Sequence, residues 1–308
     1  MPRRPLGRSE IVLEPLVFGG NVFGWTLEED KAFAVLDAYV AAGFNAIDTA
    51  DVYGKGKSET ILGKWMKARA NRANILLFTK VGSEMAPGKT GLSAKYIQSA
   101  FEASLERLQT DYVDLYQCHK PDPETPLEET MGALDVLVRE GRVRAIGASN
   151  FTPELIEEGV DIAVKKTLTR FESEQPEYNL YSRSRFEGPV QDTCIKHEIG
   201  VIPYFSLAAG FLTGKYRSAA DFGKSARGAR MEKYLDAKGM KILAALDQVA
   251  GETGATPAEI SLAWLVAQPG VTAPIASATS VEQVESLAKG VKLELSAAQL
   301  QVLTDAGE

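Results

Sequence analysis

The sequence predicts an α/β fold, a (β/α)8 TIM barrel with an N-terminal β-hairpin and extra helices near the C-terminus. Eight short segments alternate with helical patterns along the 308 residues. Most of these segments are continuous apolar runs, as expected for parallel strands that are buried on both faces. No Gly-x-Gly-x-x-Gly pattern follows an early strand, which disfavours a doubly wound sheet. Barrels often fill this length as one domain, so we expect a single domain over residues 1–308.

The first half of the chain is predicted to hold a hairpin arm within residues 4–22 and five strands. The strands are expected at residues 15–19, 44–48, 74–80, 111–119 and 143–149. Helical spacing predicts helices over residues 27–42, 58–70, 93–108 and 127–140. Thr26 and Ser58 are expected to cap the first two helices, and Gly141 to follow the last one as its C′ residue. Thr152 and Pro153 are expected to open the next helix.

The second half is predicted to hold three more strands, at residues 171–175, 201–204 and 271–275. Helices are expected over residues 190–197, 237–253, 257–268, 281–288 and 296–306. A long connection with four glycines spans residues 205–234. The total of eight strands agrees with a closed barrel.

Composition argues against several classes of protein. Apolar residues make up 45% of the chain, which allows a large core, and the formal net charge is −7. A non-specific nucleic-acid binder is normally basic. No apolar run approaches ~18 residues, and the N-terminus lacks the apolar region of a signal peptide. We therefore expect a cytoplasmic protein with no nucleic-acid or membrane partner, and a monomer by default, with an oligomer left open.

The two cysteines, Cys118 and Cys194, are too few for a disulfide scaffold. We expect both to be reduced and buried. The adjacent pair Cys118 and His119 does not have the spacing of zinc ligands, because neighbouring strand residues point to opposite faces. We expect no metal.

Reactive side chains recur at the carboxyl ends of the predicted strands. Consecutive strand ends are 26 to 39 residues apart, about one βα unit, so these side chains should meet at the C-terminal mouth of the barrel. Tyr53 follows the second strand by one turn. The strand-end residues are Asp48, Lys80, His119, Ser149, Asn150, Gln175 and Tyr204.

A group of Tyr, Lys, Asp and His suits proton transfer to a carbonyl oxygen. A free phenol with a pKa of about 10 is a poor acid at neutral pH. A cationic Lys80 beside Tyr53 would stabilise the phenolate and lower that pKa. Asp48 would hold Lys80 charged, and a neutral His119 would orient the substrate oxygen. Each residue alone has an ordinary structural explanation, so the hypothesis rests on the four together.

Six segments, in this order and spacing, resemble the aldo-keto reductases over essentially the whole chain. They are GFNAIDTADVYG (residues 43–54), LFTK (77–80), DYVDLYQCH (111–119), GRVRAIGASNF (141–151), EQPEYNL (174–180) and PYFSLAAGFLTGKY (203–216). The resemblance is to members of bacterial type with a short C-terminal tail. Because the chain ends at Glu308, just after the last predicted helix, an open substrate pocket is expected.

The resemblance implies that Tyr53 is the general acid and that Asp48, Lys80 and His119 complete a catalytic tetrad. It implies a small-molecule carbonyl or alcohol substrate. Residues implied to face the substrate are Val22, Phe23, Trp25, Tyr53 and His119.

The resemblance also implies a nicotinamide cofactor. The carboxamide would be held by Ser149, Asn150 and Gln175, and the nicotinamide ring would stack on Tyr204. The backbone around residues 207–212 would wrap the pyrophosphate, with Lys215 supplying charge. Residues implied to bind the cofactor are Gly20, Asn21, Asp48, Ser149, Asn150, Gln175, Tyr204, Phe205, Ser206, Leu207, Gly210, Leu212, Lys215, Ala276, Ser277, Ala278, Thr279 and Gln283.

The chain departs from the family pattern after the eighth strand. Family members often carry a basic residue there, which grips the adenosine 2′-phosphate, whereas this chain has Ser277, Thr279 and Ser280. Their hydroxyls can bind phosphate near a helix N-terminus, but more weakly than a cation. Arg227 and Arg230, in the long connection, are candidates for the missing charge. NADPH is therefore expected, with NADH or dual use left open.

Two further departures affect the cofactor contacts. Phe205 stands where the family commonly has Ser, so a hydroxyl contact is absent there. Leu287 replaces an Asn that often meets the adenine.

Three functions are weighed. The leading hypothesis is an NAD(P)H-dependent oxidoreductase that reduces aldehydes or ketones reversibly. The second is a non-catalytic nicotinamide-binding regulatory subunit, because potassium-channel β-subunits share this fold and tetrad; this chain has no long N-terminal extension. The third is a barrel enzyme that forms a Schiff base on Lys80, which a neighbouring carboxylate disfavours by keeping the amine charged.

Overall fold

Eight parallel strands form one curled sheet in the computed structural model, which describes residues 3–225 and 227–308. An antiparallel pair at the N-terminus, β1 (Arg4–Pro5) and β2 (Val12–Leu13), is the expected hairpin. The barrel strands are β3 (Val17–Gly19), β4 (Ala46–Asp48), β5 (Leu76–Val81), β6 (Val113–Cys118), β7 (Val143–Ser149), β8 (Phe171–Gln175), β9 (Gly200–Val201) and β10 (Ile275–Ala276). Their order in the sheet is β10-β3-β4-β5-β6-β7-β8-β9.

The two ends of this sheet approach each other through the segment that precedes β10. The amide of Thr272 donates to the Val201 carbonyl at 2.7 Å, and the Ile275 amide donates to the Pro203 carbonyl at 2.9 Å. The predicted last strand, residues 271–275, therefore lies beside β9, but only Ile275–Ala276 is regular strand. Pro274 has no amide hydrogen to give a continuous ladder. The (β/α)8 prediction is confirmed.

Ten α-helices are found among the described residues, close to the predicted ranges. They are α1 (Glu29–Ala41), α2 (Lys57–Arg69), α3 (Ala94–Leu108), α4 (Leu127–Arg139), α5 (Pro153–Lys166), α6 (Pro189–Lys196), α7 (Ala237–Thr253), α8 (Pro257–Val266), α9 (Val281–Gly290) and α10 (Ala297–Ala306). The long connection after β9 contains three 3-10 helices, Ala208–Thr213, Ala219–Lys224 and Gly228–Tyr234.

Two of the predicted helix caps are wrong. The N-cap residue of α1 is Glu28 rather than Thr26. The N-cap residue of α2 is Gly56, whose positive φ of 87° suits glycine. Ser58 lies inside α2, where its buried hydroxyl donates to the Gly20 carbonyl at 2.8 Å. The cap at Thr152, with Pro153 at the first helical position, is confirmed.

The apolar core has two parts, one on each side of the sheet. Inside the barrel, residues from most strands pack with Leu6, Ile11 and Leu13 of the hairpin, which closes the N-terminal end. Between the sheet and the helices lies a larger cluster that includes both buried, unpaired cysteines, as expected. With one end of the barrel filled by apolar side chains, the polar chemistry concentrates at the other end.

Helices α2 and α3 pack closely at Gly63. A Cβ at Gly63 of α2 would lie 2.4 Å from the Arg107 carbonyl oxygen of α3. We expect Gly63→Ala to lower the free energy of unfolding by about 1–3 kcal/mol through overpacking, despite the better helix propensity of alanine. Urea denaturation would measure the change. The matched control is Gly132→Ala in α4, where a Cβ meets nothing within 4 Å; equal stability of both variants would contradict the prediction.

Candidate active site

A polar layer lies directly above the apolar interior at the C-terminal end of the barrel. Inward-facing residues of a strand are two apart, so Asp48, Lys80 and Gln117 each follow an apolar core residue of the same strand. Gln175 joins them from β8. All four side chains are at most 2% exposed. Because polar groups this deeply buried need partners, their hydrogen bonds define the geometry of the site.

Lys80 is the centre of this layer. Its Nζ donates to Asp48 Oδ2 at 2.5 Å and to the Thr49 carbonyl at 2.8 Å, and it lies 3.4 Å from the Tyr53 hydroxyl. The three neighbours come from β4 and the turn after it, while Lys80 comes from β5. The ammonium group is thus held beside the phenol by a carboxylate on the adjacent strand.

Asp48 is fixed on its other side by two amides. Gln117 Nε2 and Gln175 Nε2 each donate to Asp48 Oδ1 at 3.1 Å, and Gln175 Nε2 also donates to Gln117 Oε1. Gln117 was missed by the sequence analysis. The signal was present, since Gln117 is a polar residue at an inward position of an otherwise apolar strand.

Burial and charge act in opposite directions on the two reactive groups. Burial raises the pKa of Tyr53, and although the charge of Lys80 opposes this shift, the net direction is upward. The charge of Lys80 thus lowers the pKa of Tyr53 as expected, but burial outweighs it, so the pKa is not brought below its usual value. Burial would lower the pKa of Lys80, but the charge of Asp48 and the contact with Tyr53 raise it. Both groups thus hold their protons at neutral pH.

His119 lies across the site from Tyr53. The two rings are 5.7 Å apart between centroids in an edge-to-face arrangement. Burial, followed by the charges of Lys80 and Lys120, lowers the pKa of His119 to about 3. Its Nδ1 is buried and has no hydrogen-bond partner in the described part of the chain. The imidazole is therefore neutral and can form a hydrogen bond to a ligand.

A second group of polar side chains lies along one wall. Ser149 Oγ donates to the Gln175 carbonyl at 2.8 Å, and Asn150 Nδ2 donates to Ser149 Oγ at 2.9 Å. The Tyr204 hydroxyl donates to Asn150 Oδ1 at 2.9 Å. The group presents donors and acceptors together, as a primary carboxamide requires.

These side chains border one elongated cleft of about 1100 Å³. Predicted site residues that line it are Asn21, Val22, Trp25, Asp48, Tyr53, His119, Ser149, Asn150, Gln175, Tyr204, Phe205, Ser206, Leu207, Gly210, Lys215, Ala276, Ser277, Thr279 and Gln283. Residues that line it without having been assigned to the site include Thr26, Ala209, Thr213, Ser225, Ala258 and Ser286. A cleft of this size and mixed polarity suits an extended ligand.

Five predicted residues do not line the cleft. Lys80 lies beneath it, in contact with Tyr53. Phe23 is fully buried and stacks on Phe18 at 5.5 Å, so its side chain does not reach a substrate, in contrast to the prediction. The remaining three lie behind the lining; they are Gly20, Leu212 and Ala278.

One cation in the cleft is poorly neutralised. Arg227 lines the cleft, and its Nη2 is buried without a hydrogen-bond partner among the residues described. Its guanidinium lies 5.1 Å from the ring centre of Trp25, and that of Arg230 lies 5.9 Å from the same ring. Burial and the nearby Arg230 lower the pKa of Arg227. The arrangement favours a bound anion.

A buried acidic pair lies behind the Tyr53 turn. Both carboxylate oxygens of Asp51 are buried without a partner in the described structure. Nearby Glu59 accepts hydrogen bonds from Thr79 Oγ1 at 2.6 Å and Arg107 Nε at 2.7 Å. Burial and then the charge of Glu59 raise the pKa of Asp51 to about 7. Asp51 is therefore half protonated near neutral pH.

Two other features concern partners. In residues 3–225 and 227–308, no cluster of three or more His, Cys, Asp or Glu side chains is arranged to hold a metal ion. Within the same ranges, none of the helices is long and apolar enough to cross a membrane.

Comparison with known proteins identifies the family. The model described as "Aldo/keto reductase family" matches residues 15–308, so the chain belongs to that family and is an oxidoreductase. It is 34% identical to the "Uncharacterized oxidoreductase YrpG" of Bacillus subtilis, over 97% of this chain and 94% of that protein. It is 32% identical to the "Aldo-keto reductase yakc [NADP(+)]" of Schizosaccharomyces pombe, over 90% and 83%. It is 33% identical to a "Probable voltage-gated potassium channel subunit beta" of Arabidopsis thaliana, over 94% and 91%.

Proposed function

We propose that the protein reduces aldehyde or ketone carbonyls of small molecules to alcohols with NADPH, and catalyses the reverse oxidation. The observation that carries the proposal is the Tyr53 hydroxyl 3.4 Å from Lys80 Nζ, at the border of the cleft. The nicotinamide, when bound, supplies the hydride. The family relationship supports the reaction class, and the name of the yeast relative supports the NADP(H) form.

Side chains of the protein donate and accept the proton. Tyr53 holds its proton in the resting site and donates it to the oxygen of the substrate, because the adjacent Lys80 ammonium stabilises the phenolate that forms. Asp48 keeps Lys80 charged and in place. Neutral His119 orients the substrate oxygen by a hydrogen bond, since it carries no charge to compete with Tyr53. In the reverse direction the phenolate accepts the proton of the alcohol.

The donor set along the wall fits the nicotinamide carboxamide. Ser149, Asn150 and Gln175 offer hydroxyl and amide groups, and the Tyr204 ring lines the cleft beside them. The unpaired guanidinium nitrogen of Arg227 fits a phosphate of the cofactor. These residues would bind and orient the cofactor.

The direct test follows oxidation of NADPH and NADH optically in the presence of aldehydes, α-dicarbonyls and keto-sugars. We expect carbonyl-dependent oxidation, faster with NADPH at low cofactor concentration. An absence of turnover with every carbonyl, together with normal NADPH binding, would instead favour a regulatory subunit, the role that the name of the Arabidopsis relative suggests.

Arg227→Met should reduce the preference for NADPH. The substitution removes the guanidinium that lines the cleft and retains an apolar stem against Trp25. We expect kcat/KM for NADPH to fall about tenfold or more, roughly 1.4 kcal/mol, with a smaller change for NADH.

The control for that experiment is Lys224→Met in the same connection. Lys224 is exposed and paired with Asp221 at 2.7 Å, outside the cleft lining. An equal loss for NADPH and NADH in the Arg227 variant would assign Arg227 to the pyrophosphate rather than to the 2′-phosphate.

A Schiff base on Lys80 has little support. The amine is fully buried, hydrogen bonded to Asp48 and Thr49, and its pKa is raised, so it is a charged and poor nucleophile. Borohydride trapping of an imine in the presence of a carbonyl substrate would overturn this conclusion.

A further inference from the structure

We infer that Glu174, a buried residue outside the cleft, is a positioning residue that sets the orientation of the carboxamide-binding turn at residues 149–151. The inference rests on the proposed function, which assigns that turn to nicotinamide binding. Glu174 does not line the cleft and is 1% exposed. It would act only through the backbone that carries Ser149 and Asn150.

The contact is made from the outer face of β8. Glu174 alternates with the inward-facing Gln175, so its side chain points toward the helices. There Oε1 accepts a hydrogen bond from the backbone amide of Phe151 at 3.1 Å. Gln175 secures the same turn from its backbone, since its carbonyl accepts from the Asn150 amide at 3.3 Å and from Ser149 Oγ at 2.8 Å. The turn is thus held by one side chain and one backbone carbonyl of the same strand.

The turn needs this support because its backbone is unusual. Asn150 has a positive φ of 60°, which a non-glycine residue adopts only at some cost. The left-handed residue turns the chain out of β7 and directs Asn150 toward Tyr204 and Ser149. Without the carboxyl group, the buried Phe151 amide would lose its acceptor. The backbone of the turn would then be expected to move toward a less strained conformation.

Burial of the Glu174 carboxyl group costs free energy. Its Oε2 is buried with no partner among the described residues, and burial raises the pKa of Glu174 to about 8. Glu174 acts on two buried thiols, Cys118 and Cys194, whose pKa values are raised by burial and then by Glu174. An apolar residue would be easier to bury here. The hydrogen bond that Oε1 accepts from the Phe151 amide offsets part of this cost.

The test compares Glu174→Met with Glu174→Gln. Methionine keeps the length of the side chain without an acceptor, and its apolar character favours folding. Glutamine keeps the acceptor oxygen. Dissociation constants would be measured by titration calorimetry for NADP+ and for 2′-phospho-ADP-ribose, which lacks the nicotinamide. We expect Glu174→Met to bind NADP+ about tenfold more weakly with little change for the fragment, and Glu174→Gln to bind both like the parent.

Glu172→Met is the matched control. Glu172 lies two residues earlier on β8, is also buried, and accepts from the Arg8 amide at 2.7 Å at the other end of the barrel. Its variant should retain the parent affinity for both ligands. Equal weakening of NADP+ and the fragment in Glu174→Met, or parent affinity for NADP+, would overturn the inference. Failure of the parent itself to bind NADP+ would instead refute the proposed function.

Discussion

Tyr53→Phe is expected to lower kcat for carbonyl reduction by about 10²–10⁴-fold, because it removes the proton donor while preserving the ring. Among the described residues the hydroxyl makes one hydrogen bond, with Lys80 at 3.4 Å, so the fold and the cofactor wall should be retained. Steady-state kinetics with a reactive aldehyde would measure kcat, and binding of NADPH would be measured separately. A fall in kcat with unchanged cofactor affinity is the expected pattern.

Tyr112→Phe provides the control for loss of a phenol hydroxyl. Tyr112 precedes β6 near the N-terminal end of the barrel, where the Arg72 guanidinium stacks 3.8 Å from its ring centre. This variant should keep the activity of the parent. If Tyr53→Phe reduced carbonyls as fast as the parent, Tyr53 would not be the general acid.

Asp51→Asn is expected to make folding stability less dependent on pH. The unfolded chain releases the Asp51 proton near pH 3.9, whereas the folded protein holds it to about pH 7. The folded state therefore binds the extra proton between these values, and the associated stability is present at low pH and lost as pH rises through about 7. At about 1.4 kcal/mol per pH unit, the parent should lose about 2 to 3 kcal/mol relative to the variant between pH 5 and pH 8.

Urea unfolding of the parent and the variant at both pH values would test this difference. All other titrating groups are common to the two proteins, so the difference isolates Asp51. Asp111→Asn is the control, since Asp111 is exposed and makes no ion pair among the described residues. A constant stability difference between the parent and the Asp51 variant from pH 5 to pH 8 would show that Asp51 is ionised throughout.

Much of the site could be located from the sequence because strands carry it. An apolar run that ends in a single reactive residue determines which strand end bears Asp48 or Lys80, and the parallel alternation brings these ends to one mouth. The hairpin and the eight strands followed from the same local patterns. The boundaries differ from the prediction at β10, where pairing with β3 rather than local sequence decides which residues count as strand.

Contacts between segments that are distant in the sequence could not be predicted from local patterns. Ser58 looks like a helix cap, yet it lies within α2 and bonds to Gly20, because Gly56 starts the helix earlier. Phe23 follows β3 as its neighbour Val22 does. Val22 lines the cleft, whereas Phe23 packs on Phe18 in the core. Arg227 and Arg230 are equal candidates for a phosphate contact in the sequence, and only the fold shows that Arg227 lines the cleft beside Trp25.

The sequence by itself determined the family and the barrel, and it predicted the four residues Tyr53, Lys80, Asp48 and His119 as one group, since each depends on motifs or on a local repeat of strand and helix. Only the tertiary structure decided the directions in which the pKa values of Tyr53, Lys80 and His119 are shifted. The charge of Lys80 pulls the pKa of Tyr53 down, while burial pushes it up and prevails. Neither the desolvation of a group nor its distance from a charge on another strand can be predicted from the neighbouring residues in the sequence. Both are set when the strands assemble.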